Sequence, residues 1–152
     1  MQKRPDFPNK YSMKLIGWVT VAAFCTVCGQ CYSQNKIEVI IREVKDTTGM
    51  IRVGLFADAK TFLKKPIQGR IVKSTGGQQV VVFDSVPSGT FAISVIHDSN
   101  KNGRLDTNFM GVPKEGIGFS NDVMGSFGPP AFDKAKFVVS SSVTMTIRMR
   151  YL

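Results

Sequence analysis

The strongest constraint on this chain is a period of two. Ile37, Val39 and Ile41 alternate with Glu38 and Arg42, and Ile51, Val53 and Leu55 alternate with Arg52 and Gly54. Phe91, Ile93 and Val95 alternate with Ala92 and Ser94. Near the end, Val143, Met145, Ile147, Met149 and Tyr151 alternate with Thr144, Thr146, Arg148 and Arg150. Successive side chains of a strand point to opposite faces, so this pattern predicts strands with one buried face. Three further segments fit: Arg70 to Lys73, the apolar run inside Gln79 to Asp84, and Lys136 to Ser140. The expectation is seven strands.

Turn chemistry separates them. Asp46-Thr47-Thr48-Gly49, Gly76-Gly77 and Pro87-Ser88-Gly89 supply fixed or positive φ. Short strands with frequent turns predict an all-β, single β-sandwich domain. One short helix is predicted from Asp58, as its N-cap, to Lys65, with Pro66 as its stop. The rhythm of strand, helix and strand that a nucleotide-binding fold needs is missing. One stretch fits no strand: residues 107–133 hold five glycines, three prolines and Phe109, Phe119, Phe127 and Phe132. Loops of this length are uncommon and usually functional. The four Phe would anchor it, so it is predicted as an ordered Gly/Phe-rich excursion over one end of the sandwich.

The N-terminus reads as an address. Lys3, Arg4, Lys10 and Lys14 precede an uncharged run, Leu15 to Cys28. That run has 14 residues, whereas a membrane span needs about 20. With Cys31-Tyr32-Ser33 as a small-residue exit, residues 1–33 are predicted as a secretory signal peptide, cleaved after Ser33. The domain is then 34–152, and the product periplasmic or extracellular, with no transmembrane anchor. A lipoprotein reading is disfavoured, because neither Cys28 nor Cys31 has the usual small residue before it in a good context. All three Cys (25, 28 and 31) and the single Trp18 fall in the leader, so disulfides cannot hold the domain. Cys28-Gly29-Gln30-Cys31 lacks the neighbouring helix and strand of a redox motif.

The chain has 152 residues, 43% hydrophobic and 20% charged. That balance excludes disorder, collagen and coiled coil. The net charge is +9, spread as a solvated face. Nothing resembles a DNA-reading helix, so no nucleic acid is expected as partner. The charge suits an anionic cell-surface polymer or a protein partner.

The chemistry concentrates after the fifth strand, in Asp98-Ser99-Asn100-Lys101-Asn102-Gly103-Arg104-Leu105-Asp106. Oxygen-bearing side chains stand at loop positions 1, 3, 5 and 9, with Gly at 6, which is the spacing of a calcium loop. Calcium takes six to eight oxygens in flexible geometry, and alternate residues of a tight loop point inward. The expected ligands are Asp98, Asn100, Asn102 and Asp106, with the carbonyl of Arg104. Position 12 is Phe109 rather than a bidentate Glu, and a strand enters the loop rather than a helix. Two anionic ligands imply weak affinity, about 0.1 to 1 mM. Glu115 or Asp122 would complete the shell. The competing reading is a plain hairpin turn, since Asn102-Gly103 favours a type I′ turn.

His97, the only His, shares the parity of Phe91, Ile93 and Val95 and so faces the core. It reads as a half-buried structural His whose second nitrogen bonds a loop carbonyl or carboxylate. The enzymatic alternative makes it a hydrolytic base beside Glu115 or Ser120, although Ser120 lies in no nucleophile elbow.

The run from His97 to Asn108 resembles the uncharacterised family called domain of unknown function 2141. So do Gly111-Val112-Pro113-Lys114-Glu115-Gly116, Gly118-Phe119-Ser120-Asn121, Phe127-Gly128-Pro129-Pro130 with Phe132, Gly49 to Asp58, and Pro87 to Val95. The resemblance implies an exported bacterial β-sandwich similar to transthyretin-like or carboxypeptidase-regulatory-like modules. It supplies no catalytic residue and supports only the loop residues Asp98, Asn100, Asn102 and Asp106 as shared. The expected function is an exported calcium-binding module with a binding or structural role at the cell envelope. The alternatives are a hydrolase built on His97, or a small-ligand carrier with the 107–133 excursion as its lid.

Overall fold

The computed structural model describes residues 34–125 and 128–152. The predicted signal peptide with its Cys and Trp18, and Phe127 of the excursion, lie outside the described residues. Among the described residues no helix is long and apolar enough to cross a membrane.

The fold is a β-sandwich of two sheets. Strands β1 (Asn35–Val44), β4 (Gly77–Val86) and β8 (Val143–Arg148) form one, in the order β4-β1-β8. The other is five-stranded: β2 (Met50–Phe56), β3 (Gln68–Lys73), β5 (Gly89–Asp98) and β6 (Gly116–Phe119) lie in the order β3-β2-β5-β6, and β7 (Phe137–Val139) pairs with β5. The pair β1–β8 is parallel, and the other strand pairs are antiparallel.

The predicted alternation builds the core. Ile37, Val39 and Ile41 meet Val81, Phe83 and Ile147 on one sheet and Ile51, Val53, Leu55, Phe91, Ile93 and Val95 on the other. Most of these side chains are fully buried, each stabilising by about 1.5–3 kcal/mol. β5, like the short β6, departs from half-burial, because both its faces are covered. Its outer face meets a second cluster in which Phe56, Phe62, Ala92, Ile117, Phe119 and Ala135 gather.

Two expectations are corrected. The strands number eight, because Gly116–Phe119, inside the excursion, is a strand pairing with β5. Its core-facing positions are glycines for a steric reason. A Cβ on Gly116 would lie 2.5 Å from the Tyr151 ring, and one on Gly118 would lie 2.8 Å from Ile147. The predicted helix from Asp58 to Lys65 is instead a pair of turns. Asp58 does cap it, accepting the N–H of Lys60 and Thr61 at 2.8 and 3.0 Å, but Leu63 adopts φ 61° and ends the helical path. The segment still buries Phe62, edge-on to Phe56 at 5.3 Å and to Phe132 at 5.6 Å. The short helix lies elsewhere, at α1 (Phe132–Ala135).

Candidate functional site

β5 ends on Asp98, whose side chain is turned outward yet only 1% exposed. Its Oδ1 accepts the N–H of Asn102 at 3.1 Å and its Oδ2 that of Gly103 at 2.9 Å. The pattern repeats at alternate residues. Asn100 Oδ1 accepts the Asn102 N–H, and Asn102 Oδ1 accepts the Arg104 N–H, each at 3.0 Å. Side-chain oxygens thus replace the strand ladder as partners of the loop backbone. Lys101 at φ 61° and Gly103 at φ 83° make the reversals.

Asp106 closes the loop. Its carboxylate accepts from Asn100 Nδ2 at 2.6 Å and from Asn102 Nδ2 at 2.9 and 3.0 Å. The Asn102 and Asn100 hydrogen bonds hold its pKa below the usual carboxylate range. Glu115, buried at the start of β6, ties both ends together: Oε1 accepts the Ser99 N–H at 3.0 Å and Oε2 the Asp106 N–H at 3.1 Å. Of the two carboxylates considered for completing the shell, Glu115 therefore reaches the loop. Asp122 binds the backbone and guanidinium of Arg148 instead, both at 2.8 Å. Arg104 is exposed and joins through its N–H.

The structure thus gathers Asp98, Asn100, Asn102 and Asp106 in one loop. Every donor in this set is a hard oxygen, as calcium prefers, and each carboxylate retains lone pairs beyond those bound to N–H groups. Against this, Arg52 places a guanidinium 3.8 Å from Asp98. Among the described residues, no three His, Cys, Asp or Glu lie close enough to hold a metal by themselves. A cation here would rely on amide and carbonyl oxygens.

The loop leans on the turn between β1 and β2. Gly49, at φ 70°, lies so close that a Cβ there would be 2.1 Å from the Asp98 carbonyl. Beside it, His97 is fully buried. Its Nε2–H donates to the Thr48 carbonyl at 2.8 Å, and its Nδ1 accepts the Tyr151 O–H at 2.8 Å. The same Tyr151 oxygen accepts the Lys45 N–H at 2.9 Å. Burial pushes the Tyr151 phenol up, which keeps it a donor. Both imidazole nitrogens are committed to structure, the loop carbonyl being the partner the sequence suggested. Ser120 is equally committed: its Oγ donates to the Ala135 carbonyl at 2.6 Å and accepts the Ile93 N–H at 2.9 Å. No hydrogen bond joins any two of His97, Glu115 and Ser120 among the described residues.

Sequence reasoning missed Arg52, Gly49 and Tyr151. The strand parity of Tyr151 put it on the core-facing side with Ile147 and Met149, although it stays 36% exposed, but nothing local to Arg52 or Gly49 points at Asp98.

The family model of domain of unknown function 2141 (DUF2141), described as an uncharacterised protein conserved in bacteria, matches residues 39–147. No curated protein and no solved structure matches the chain.

Proposed function

The chain belongs to the domain of unknown function 2141 family, and from that premise we propose that it is an exported bacterial module whose 98–106 loop binds calcium. One observation carries the reading: the oxygen-bearing side chains of Asp98, Asn100 and Asn102 stand at alternate positions, and Asp106 closes on them. Asp98, Asn100, Asn102 and Asp106, with the Arg104 carbonyl, would hold the ion. The ion would replace amide-to-carboxylate bonds at Asp106. Glu115 acts one layer out, fixing the backbone that presents the ligands. Two anionic ligands and the neighbouring Arg52 keep the affinity weak, about 0.1 to 1 mM. The role is then binding or structural, at the envelope or outside it, with the ion ordering the start of the excursion.

Calorimetric titration of the purified protein with calcium tests this directly. The expected result is one site in that range, with magnesium at least about tenfold weaker because it demands near-ideal octahedral geometry. No heat with calcium, or equal binding of both ions, would remove the proposal.

A further inference from the structure

The outer face of the five-stranded sheet carries a groove of about 1500 Å³. Strand register lays one row across it. Ile71 pairs with Arg52, Arg52 with Ile96, Ile96 with Ile117, and Ile117 with Arg150. Residues directly opposite in adjacent strands share a face, so these five side chains fall in line on the outer side of the sheet, with Ile117 covered by the second cluster. Four strand spacings span about 19 Å.

The groove is apolar where a monomer would ordinarily be polar. Leu63, Ile71, Met110, Val112, Met124 and Leu152 line it, and each is 37% to 71% exposed. Contiguous exposed apolar surface of this kind marks a binding site more often than a bare face. Its charged side chains are of one sign. Arg52, Lys64, Arg70, Arg104 and Arg150 line it, and no Asp or Glu side chain does; Arg70 already donates to the Val82 and Gly69 carbonyls. These cations are not equivalent. Arg52 turns to Asp98, and Arg104 lies within the field of Asp106. Arg150 is exposed, and among the described residues its guanidinium has no ion pair or hydrogen bond.

We propose that this groove binds a single-chain fatty carboxylate. The carboxylate sits on Arg150, whose planar fork matches it with two charge-assisted bonds. The tail lies along Ile117 and Ile96 toward Ile71, covered by Met110 and Val112. The row is long enough for an extended long-chain acyl group, and no Asp or Glu side chain lines the groove to repel an anion.

Palmitate, kept below its micellar concentration, is titrated into the purified protein in EDTA, so that the outcome stands apart from the calcium reading. Hexadecanol serves as the uncharged analogue and phosphatidylglycerol vesicles as the membrane analogue. Palmitate is expected to bind about tenfold or more tightly than hexadecanol, the value of charge-assisted hydrogen bonds to the head group. Arg150→Ala should erase that difference while leaving hexadecanol binding unchanged. Ile71→Glu, at a position already 55% exposed and so tolerant of the change, should weaken both ligands with the circular dichroism spectrum unaltered. Equal binding of palmitate and hexadecanol, or no binding of either, would overturn the proposal. Binding to vesicles alone would also overturn it, in favour of a membrane surface.

Discussion

Two consecutive stretches of the chain, Phe91–Val95 and Asp98–Asp106, are held by different forces. In the first, alternate apolar side chains bury against the facing sheet, and the backbone is satisfied by its neighbours in the ladder. In the second, the ladder has stopped, and Asp98, Asn100, Asn102 and Glu115 take over as hydrogen-bond acceptors for the backbone. Apolar burial is indifferent to ions and to mild acid. A loop ordered by carboxylates is not. The difference places any ion or pH response in the second stretch and the bulk of the stability in the first.

The sharpest way to separate the two is Ile93→Ala. Ile93 is fully buried in the core, so the truncation should cost about 2–5 kcal/mol in urea unfolding. The stabilisation added by calcium should be unchanged, because the loop does not touch that side chain. A lost calcium increment would show that the two stretches are one unit.

Glu115→Gln attacks the join between them. One of two backbone N–H groups would then face an amide NH2 instead of a carboxylate oxygen, a loss of about 1–3 kcal/mol. Hydrogen exchange should quicken at Ser99 and Asp106 and remain slow at Ile93. Uniform quickening would mean that Glu115 holds the whole sandwich.

The smallest effect is in acid. Hydrogen bonds from Asn102 and Asn100 lower the Asp106 pKa. A lowered carboxylate stabilises the fold fully above its unfolded pKa, about 3.9, and the contribution is lost as pH falls through the folded value. The wild-type loop should therefore loosen below about pH 4, and Asp106→Asn should remove that component of the acid transition. An identical transition in the variant would assign it to other carboxylates.

Much of this division was legible in the residues. The strands whose faces differ, such as β1 and β8, announced themselves by alternation. β6 did not, because Gly116 and Gly118 occupy the face where Tyr151 and Ile147 supply the bulk. Its Gly-Ile-Gly-Phe sequence looks like turn chemistry until those partners are known. The 58–65 segment showed its cap and its stop, but not the positive φ of Leu63 that unwinds it. The 98–106 loop was readable because its contacts are local, with acceptor and donor two to six residues apart. Glu115, Gly49 and Arg52 reach that loop through strand pairing, which local spacing does not encode. The parity of His97 foretold its core-facing side, while its full burial and its partners Thr48 and Tyr151 came only from the tertiary fold.

The most direct test of the calcium loop is thermal unfolding of the purified protein in EDTA, in 5 to 10 mM calcium and in equal magnesium, concentrations chosen to exceed the affinity expected of such a loop, about 0.1 to 1 mM. The account predicts a rise in Tm with calcium, little or none with magnesium, and no rise in Asp98→Ala/Asp106→Ala. Saturation at a hundredfold excess over the dissociation constant corresponds to about 2.7 kcal/mol. An unchanged wild-type Tm in calcium, or a rise that survives in the double variant, would contradict it and leave the loop as a hairpin closed by its own amides.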